Sequence, residues 1–221
     1  MAIERTIRLV SSARLRDPVL LKLVSPEKID ELSEIEGATS ARLRADKYGQ
    51  EGLLKGELVH GIAHERFINA AFTYWRPRDR NRFNGPGRGA WYSAFKVETC
   101  IAEVAYHLSV ELTRIDDFNT AVEYAEMFAS FAGDFIDLRD LTTRPECLHP
   151  DPKIGYPAGN MLADKAVSQG HNGIIFPSVR DIGGTCLVAL RPHAVQSVAQ
   201  GRVYRLTWKG SAEPVVQDIG G

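Results

Sequence analysis

Apolar residues recur at helical spacing from Glu98 to Leu112, where Ile101, Val104, Ala105, Leu108 and Leu112 mark one buried side. That stretch is predicted to be the clearest helix of the chain. Glu103 and His107, four apart, share another of its faces. Shorter apolar runs bounded by turn residues predict strands at Ala90–Ala94, Asp134–Leu138, Gly173–Ser178, Cys186–Leu190 and Val203–Trp208. A second helix is expected over Gly159–Gln169, ended by Gly170. Before Glu65 the pattern is polar and reads as helical. Ser25-Pro26-Glu27-Lys28 has the form of a helix start, with Ser as N-cap and Pro in the first turn, and Gly37 breaks that helix. Another helical segment is expected from Thr39 to Tyr48. Strands and helices mix without regular alternation, so the predicted class is α+β. The expected organisation is a helical extension over 1–64, a main domain over 65–209 and a frayed tail over 210–221.

Composition narrows this picture. A chain of 221 residues, 44% apolar and 25% charged, suits one globular domain with an extension. A net charge of -1 argues against a general nucleic-acid or anionic-membrane binder, so any anion site must be a local cluster. Charges interrupt the amino-terminal segment, no run is long enough to span a bilayer, and the expected location is the cytoplasm. Cys100, Cys147 and Cys186 are far apart and odd in number, which reads as reduced thiols rather than a disulfide framework.

Candidate chemistry begins with five arginines, Arg76, Arg78, Arg80, Arg82 and Arg88, opposed only by Asp79. Guanidinium groups bind phosphate oxygens as a fork and stay charged at any cellular pH. A single arginine of such a loop is ordinarily just solvated; Arg82 stands apart because Phe83 and Asn84 tie it to the strand that follows. Gly85, Gly87 and Gly89 would let backbone N–H groups approach a diphosphate. There is no Walker ending, and the glycines precede a strand rather than a helix, so neither phosphate-binding fingerprint applies.

Tyr92 is either a core residue of its strand or a face for a nicotinamide ring. Most helical glutamates are solvated, but Ala102 and Val104 flank Glu103, and its helical neighbours are Thr99 and His107 rather than lysines. A carboxylate there can stabilise the cationic ribose formed when a nicotinamide–ribose bond breaks. His107 either orients Glu103 or is simply half-buried. Ser178, at a strand end, offers a hydroxyl to a phosphate or ribose oxygen, and FPSVR is not a nucleophile elbow. His60 and His64 are spaced for a metal, but they lack the glutamate of the zinc-protease motif and are separated by Gly61, so no metal is expected.

Taken in order, Arg82-Phe83-Asn84, Pro86-Gly87, Trp91-Tyr92-Ser93, Ala102-Glu103-Val104 with His107, and Pro177-Ser178 resemble the RES-domain family, named for its Arg, Glu and Ser. Ten positions separate Arg82 from Tyr92 and eleven separate Tyr92 from Glu103, which suits the family. The resemblance runs from Glu65 to Trp208. Phe83 stands where Trp is usual, and Gly183-Gly184-Thr185 stands where many members are rich in Asn. The resemblance implies a fold similar to ADP-ribosyltransferase toxins and the toxin role in a bacterial toxin–antitoxin pair. It implies NAD as a consumed substrate, with Arg82, Tyr92 and Glu103 catalytic and Arg82, Asn84, Tyr92, His107 and Ser178 contacting NAD. It also implies a small helical antitoxin that covers the NAD cleft. Some members break NAD down; ParT-like members, which this sequence resembles more closely, transfer ADP-ribose to phosphoribosyl pyrophosphate synthetase. Three readings remain from the residues: a mono-ADP-ribosyltransferase, an NAD glycohydrolase or phosphorylase, and a nucleotide-binding module without catalysis.

Overall fold

The computed structural model describes residues 1–12, 15, 53, 56–74 and 80–220. The described chain is a mixed α/β fold, an eight-stranded, mostly antiparallel sheet with three α-helices. The strands are β1 (Ala2–Ser11), β2 (Trp91–Ala94), β3 (Asn119–Ala132), β4 (Phe135–Asp137), β5 (Gly173–Pro177), β6 (Thr185–Ala189), β7 (Val195–Lys209) and β8 (Val215–Gly220). The helices are α1 (Glu65–Thr73), α2 (Val97–Ile115) and α3 (Pro152–Ser168). Spatial order is β4-β5-β6-β2-β1-β3-β7-β8. Only β4 and β5 run parallel, and a parallel pair needs a long crossover, here supplied by α3.

The sheet is buried on both faces around its middle. Ile175 and Leu187 point into a core with Ile68, Phe72, Trp91 and Phe131, which α1 covers. Ile174, Phe176, Cys186 and Val188 point the other way, into a core with Ile7, Phe83 and Cys100, reached by α2 and α3. Strands buried on both faces read as unbroken apolar runs, which is why β5 and β6 are plain in the sequence. The carboxy-terminal half of α2 lays Leu112 against Leu206 and Trp208 of β7.

Residues Ala2–Ser11, read from sequence as helical, form a strand in the middle of the sheet. A register shift between Ile3 and Thr6 sends Ile3 to one core and Ile7 and Leu9 to the other. Such a bulge destroys the two-residue alternation by which a strand is recognised. The segment expected to fray, 210–221, contains β8, which pairs along β7 from Thr207 to Val203. The expected helix over Gly159–Gln169 begins earlier, at Pro152, where the Asp151 side chain accepts from the Lys153 N–H at 2.9 Å. The helices expected at Ser25 and over Thr39–Tyr48 lie outside the described residues, as do Arg76 and Arg78.

Candidate active site

β1 and β2 pair at a single position, Ile7 with Ala94. Where the two strands part, the sheet opens into a cleft of about 320 Å³. Arg82, Asn84, Tyr92, Glu103 and His107 line it, and Ser178 hydrogen-bonds to Glu103 beside it. The structure therefore gathers at one place the six residues that the family resemblance implies for the site. They arrive from the turn before β2, from β2 itself, from α2 and from the end of β5.

Glu103 is half-buried on the second turn of α2. Its Oε1 accepts a hydrogen bond from Ser178 Oγ at 2.7 Å and a weaker one from Cys186 Sγ at 3.9 Å. Oε2 has no protein partner among the described residues and is left for a ligand. Ser178 is buried and its hydroxyl is fully used: it donates to Glu103 and accepts from the N–H groups of Arg180 at 3.1 Å and Asp181 at 3.0 Å. With its one proton on Glu103, it has no donor left for a phosphate, so its place is to aim the carboxylate. The turn that holds it is closed by Ser178 N–H on Gly184 O at 2.8 Å and by Thr99 Oγ1 donating to Asp181 Oδ2 at 2.6 Å. A hydrogen bond to a charged group contributes about 1.5–3 kcal/mol. Ser178→Ala removes that bond and should cost about 1.5–3 kcal/mol, measured by urea unfolding.

Tyr92 takes part through its ring and its hydroxyl differently. The hydroxyl accepts from the Phe83 N–H at 2.8 Å and donates to Asn84 Oδ1 at 2.9 Å. Asn84 in turn donates to the Arg88 carbonyl at 3.0 Å. Burial pushes the phenol above its ordinary range, so it stays protonated. These bonds fasten the turn that carries Arg82 to β2, and leave the ring as the surface offered to the cleft. Tyr92→Phe leaves the Phe83 N–H unsatisfied and should cost about 1–3 kcal/mol in urea unfolding, with Asn84→Ala non-additive to it because the two share one network.

Arg82 is buried, and its Nη1 donates to the carbonyls of Cys147 at 2.6 Å and His149 at 3.1 Å. Its guanidinium carbon lies 5.3 Å from the centre of the Tyr156 ring on α3. Burial, opposed by nearby Tyr156, holds the group below its ordinary value. Two glycines of α3 make room for it. A Cβ on Gly159 would stand 1.9 Å from the Arg82 carbonyl oxygen, and one on Gly155 would stand 2.6 Å from the His149 oxygen.

His107 lies at the rim of the cleft. Loss of solvent, aided by Arg180 and opposed by Glu103, holds its pKa below 6.5. A histidine depressed in the folded state contributes stability that is full above pH 6.5 and is lost as pH falls through its folded value. His107→Gln should flatten the loss of stability as pH falls below 6.5, followed by thermal unfolding at several pH values.

Other expectations are redirected. Arg88 is bound to Glu57, with Nη2 to Oε1 at 3.2 Å, and to the Leu190 carbonyl, so it anchors the loop before α1 rather than facing the cleft. Gly89 lies against the end of α1, where its N–H donates to Phe72 O at 2.8 Å and a Cβ would meet Ala71 O. It is a packing glycine, not a phosphate cradle. His60 and His64 sit in the turn ahead of α1, not on a helix. The three cysteines are buried free thiols, and burial pushes Cys100 up to about 12. Arg180, Tyr156, Tyr106 and Arg8 also gather here without having been singled out in the sequence.

A family model described as RES domain matches residues 58–209. No curated protein matches the chain.

Proposed function

The chain belongs to the RES-domain family, and from that premise we propose that it consumes NAD and transfers the ADP-ribosyl group to a protein. RES domains occur in toxins of toxin–antitoxin systems; the proposed role is such a toxin, restrained by a small helical antitoxin over the cleft. Phosphoribosyl pyrophosphate synthetase is the first acceptor to test.

The observation that carries this reading is the acid inventory of the cleft. Glu103 is the one acidic side chain among the described residues that line it. Hydrolysis of an ordinary sugar ether needs two carboxyl groups, one of them to protonate the leaving oxygen. A nicotinamide riboside needs no such acid: the ring leaves with the bonding electron pair and thereby becomes neutral. What remains to be stabilised is positive charge on the ribose, the task of a single fixed carboxylate. Glu103, with one oxygen held by Ser178 and the other available, is arranged for that task. Arg82 would bind phosphate oxygens, and the Tyr92 ring would lie beside the nicotinamide. An acceptor side chain then bonds to the ribose carbon and releases its proton; if water attacks instead, the product is free ADP-ribose.

The test is incubation of the protein with NAD labelled in the adenylate, alone and with cell lysate or purified phosphoribosyl pyrophosphate synthetase. Label on a protein band, absent with Glu103→Gln, supports the transferase. Release of ADP-ribose or its phosphate with no labelled protein would move the reading to NAD breakdown. NAD bound but never consumed would leave a binding module.

A further inference from the structure

Arg180 lies two residues after Ser178, in the loop between β5 and β6. Its guanidinium carbon is 3.5 Å from the centre of the Tyr106 ring, and Nη2 donates to the Pro150 carbonyl at 2.8 Å. Arg180 and Arg82 line the same cleft, each set against an aromatic ring, Tyr106 for one and Tyr156 for the other. Among the described residues that line the cleft, one carboxylate, Glu103, stands against these two. The like charges act on each other: Arg180 is among the causes that depress Arg82, after burial. A half-buried excess of positive charge is unfavourable until an anion enters.

Arg82 alone makes an incomplete anion site. Both hydrogens of its Nη1 are taken by backbone carbonyls, so only Nε and Nη2 remain for a ligand. A diphosphate carries charge on two phosphorus centres and is best met by two forks.

Resting on the NAD reading above, we propose that Arg180 is the second cation of a diphosphate clamp, Arg82 taking one phosphate and Arg180 the other. Tyr156 and Tyr106 hold the two guanidinium planes, and stacked arginine gives up little freedom on binding. The clamp is also coupled to the reacting end of the site. The Arg180 backbone N–H donates to Ser178 Oγ, and Ser178 donates to Glu103, so one turn sets the spacing between the phosphate site and the carboxylate. Lysine keeps the charge but loses the fork and the stack. The effect of Arg180→Lys should therefore fall between that of the native residue and that of Arg180→Gln.

The experiment is calorimetric titration of the full chain with three probes: pyrophosphate, ADP, and nicotinamide riboside, which has no phosphate. Native protein, Arg180→Gln and Arg180→Lys are compared, with melting temperatures to establish that each is folded. The expected result is a loss of at least tenfold in affinity for pyrophosphate and ADP in Arg180→Gln and a smaller loss in Arg180→Lys. Nicotinamide riboside binding should be unchanged. In steady-state assays KM for NAD should rise more than kcat falls. Equal ADP affinity in native and Arg180→Gln protein overturns the clamp while leaving NAD consumption to stand on its own. Equal losses for all three probes also overturn it, because they mark collapse of the loop. Arg180-dependent binding of pyrophosphate by a protein that never consumes NAD keeps the clamp and removes the NAD reading. Native protein that binds neither pyrophosphate nor ADP overturns the clamp, and NAD consumption is then judged by nicotinamide release alone.

Discussion

Glu103→Gln should lower NAD consumption by about 10²–10³-fold with little change in melting temperature, as removal of a fixed charge at a developing cation does elsewhere. Glutamine has nearly the same shape and can still accept from Ser178 Oγ, so the hydrogen bond at 2.7 Å survives. What disappears is the negative charge that the proposed reaction sets against the ribose. The fold has little stake in that charge, because Glu103 has no salt-bridge partner among the described residues and its second oxygen is unbonded there. NAD affinity should change much less than turnover, since the charge matters most when the ribose is cationic. The check is kcat and KM by nicotinamide release, together with thermal unfolding. A turnover within tenfold of the native value would mean that the cleft does not work through this carboxylate.

Gly159→Ala should destabilise the protein by about 1–3 kcal/mol, the usual scale of overpacking in a close-packed contact. Helix propensity argues the opposite, favouring alanine in α3 by about 1 kcal/mol. Sterics win because the obstacle is backbone: the new Cβ would meet the Arg82 carbonyl oxygen at 1.9 Å, and no side-chain rotation can relieve that. The Arg82 turn must move away from α3, drawing the guanidinium off the Cys147 and His149 carbonyls. Affinity for ADP should therefore fall with stability. Urea unfolding and ADP titration of the same variant measure both. Gly155→Ala is a useful companion, because its closest obstacles lie farther away, at 2.6 and 2.8 Å, and one of them is the Arg82 side chain. A stabilised Gly159→Ala protein would show that the turn is not seated on the helix.

How far the sequence foretells this structure depends on burial. The apolar runs of β5 and β6 are legible because those strands are buried on both faces, and the periodic face of α2 because it packs on the sheet, with Leu112 buried and Ile101, Val104, Ala105 and Leu108 partly so. β3 is not legible: its Asn119–Ala132 run carries Glu123, Glu126 and several alanines, and register shifts against β7 between Ala125 and Met127 and between Phe128 and Ser130 break its alternation. Buried Glu126 is satisfied by the Arg202 N–H at 2.9 Å, a long-range contact with no local signature. The start of α3 is hidden by Gly155, Pro157 and Gly159, which disfavour helix locally, the two glycines standing where Arg82 approaches closely. In the site, Arg82, Tyr92 and Glu103 were legible through their order along one segment. Arg180 and Tyr156 were not, because only the crossover through α3 and the β5–β6 loop brings them to the cleft.

The position of β1 has a consequence for biosynthesis. Among the described strands it alone joins the β4-β5-β6-β2 half of the sheet to the β3-β7-β8 half, and it is translated before either neighbour. On the ribosome it must wait, unpaired, until residues 91–94 and 119–132 have emerged. Ser178, which aims Glu103, emerges later still. A nascent chain therefore cannot assemble the cleft around Glu103 before residue 178 has left the ribosome.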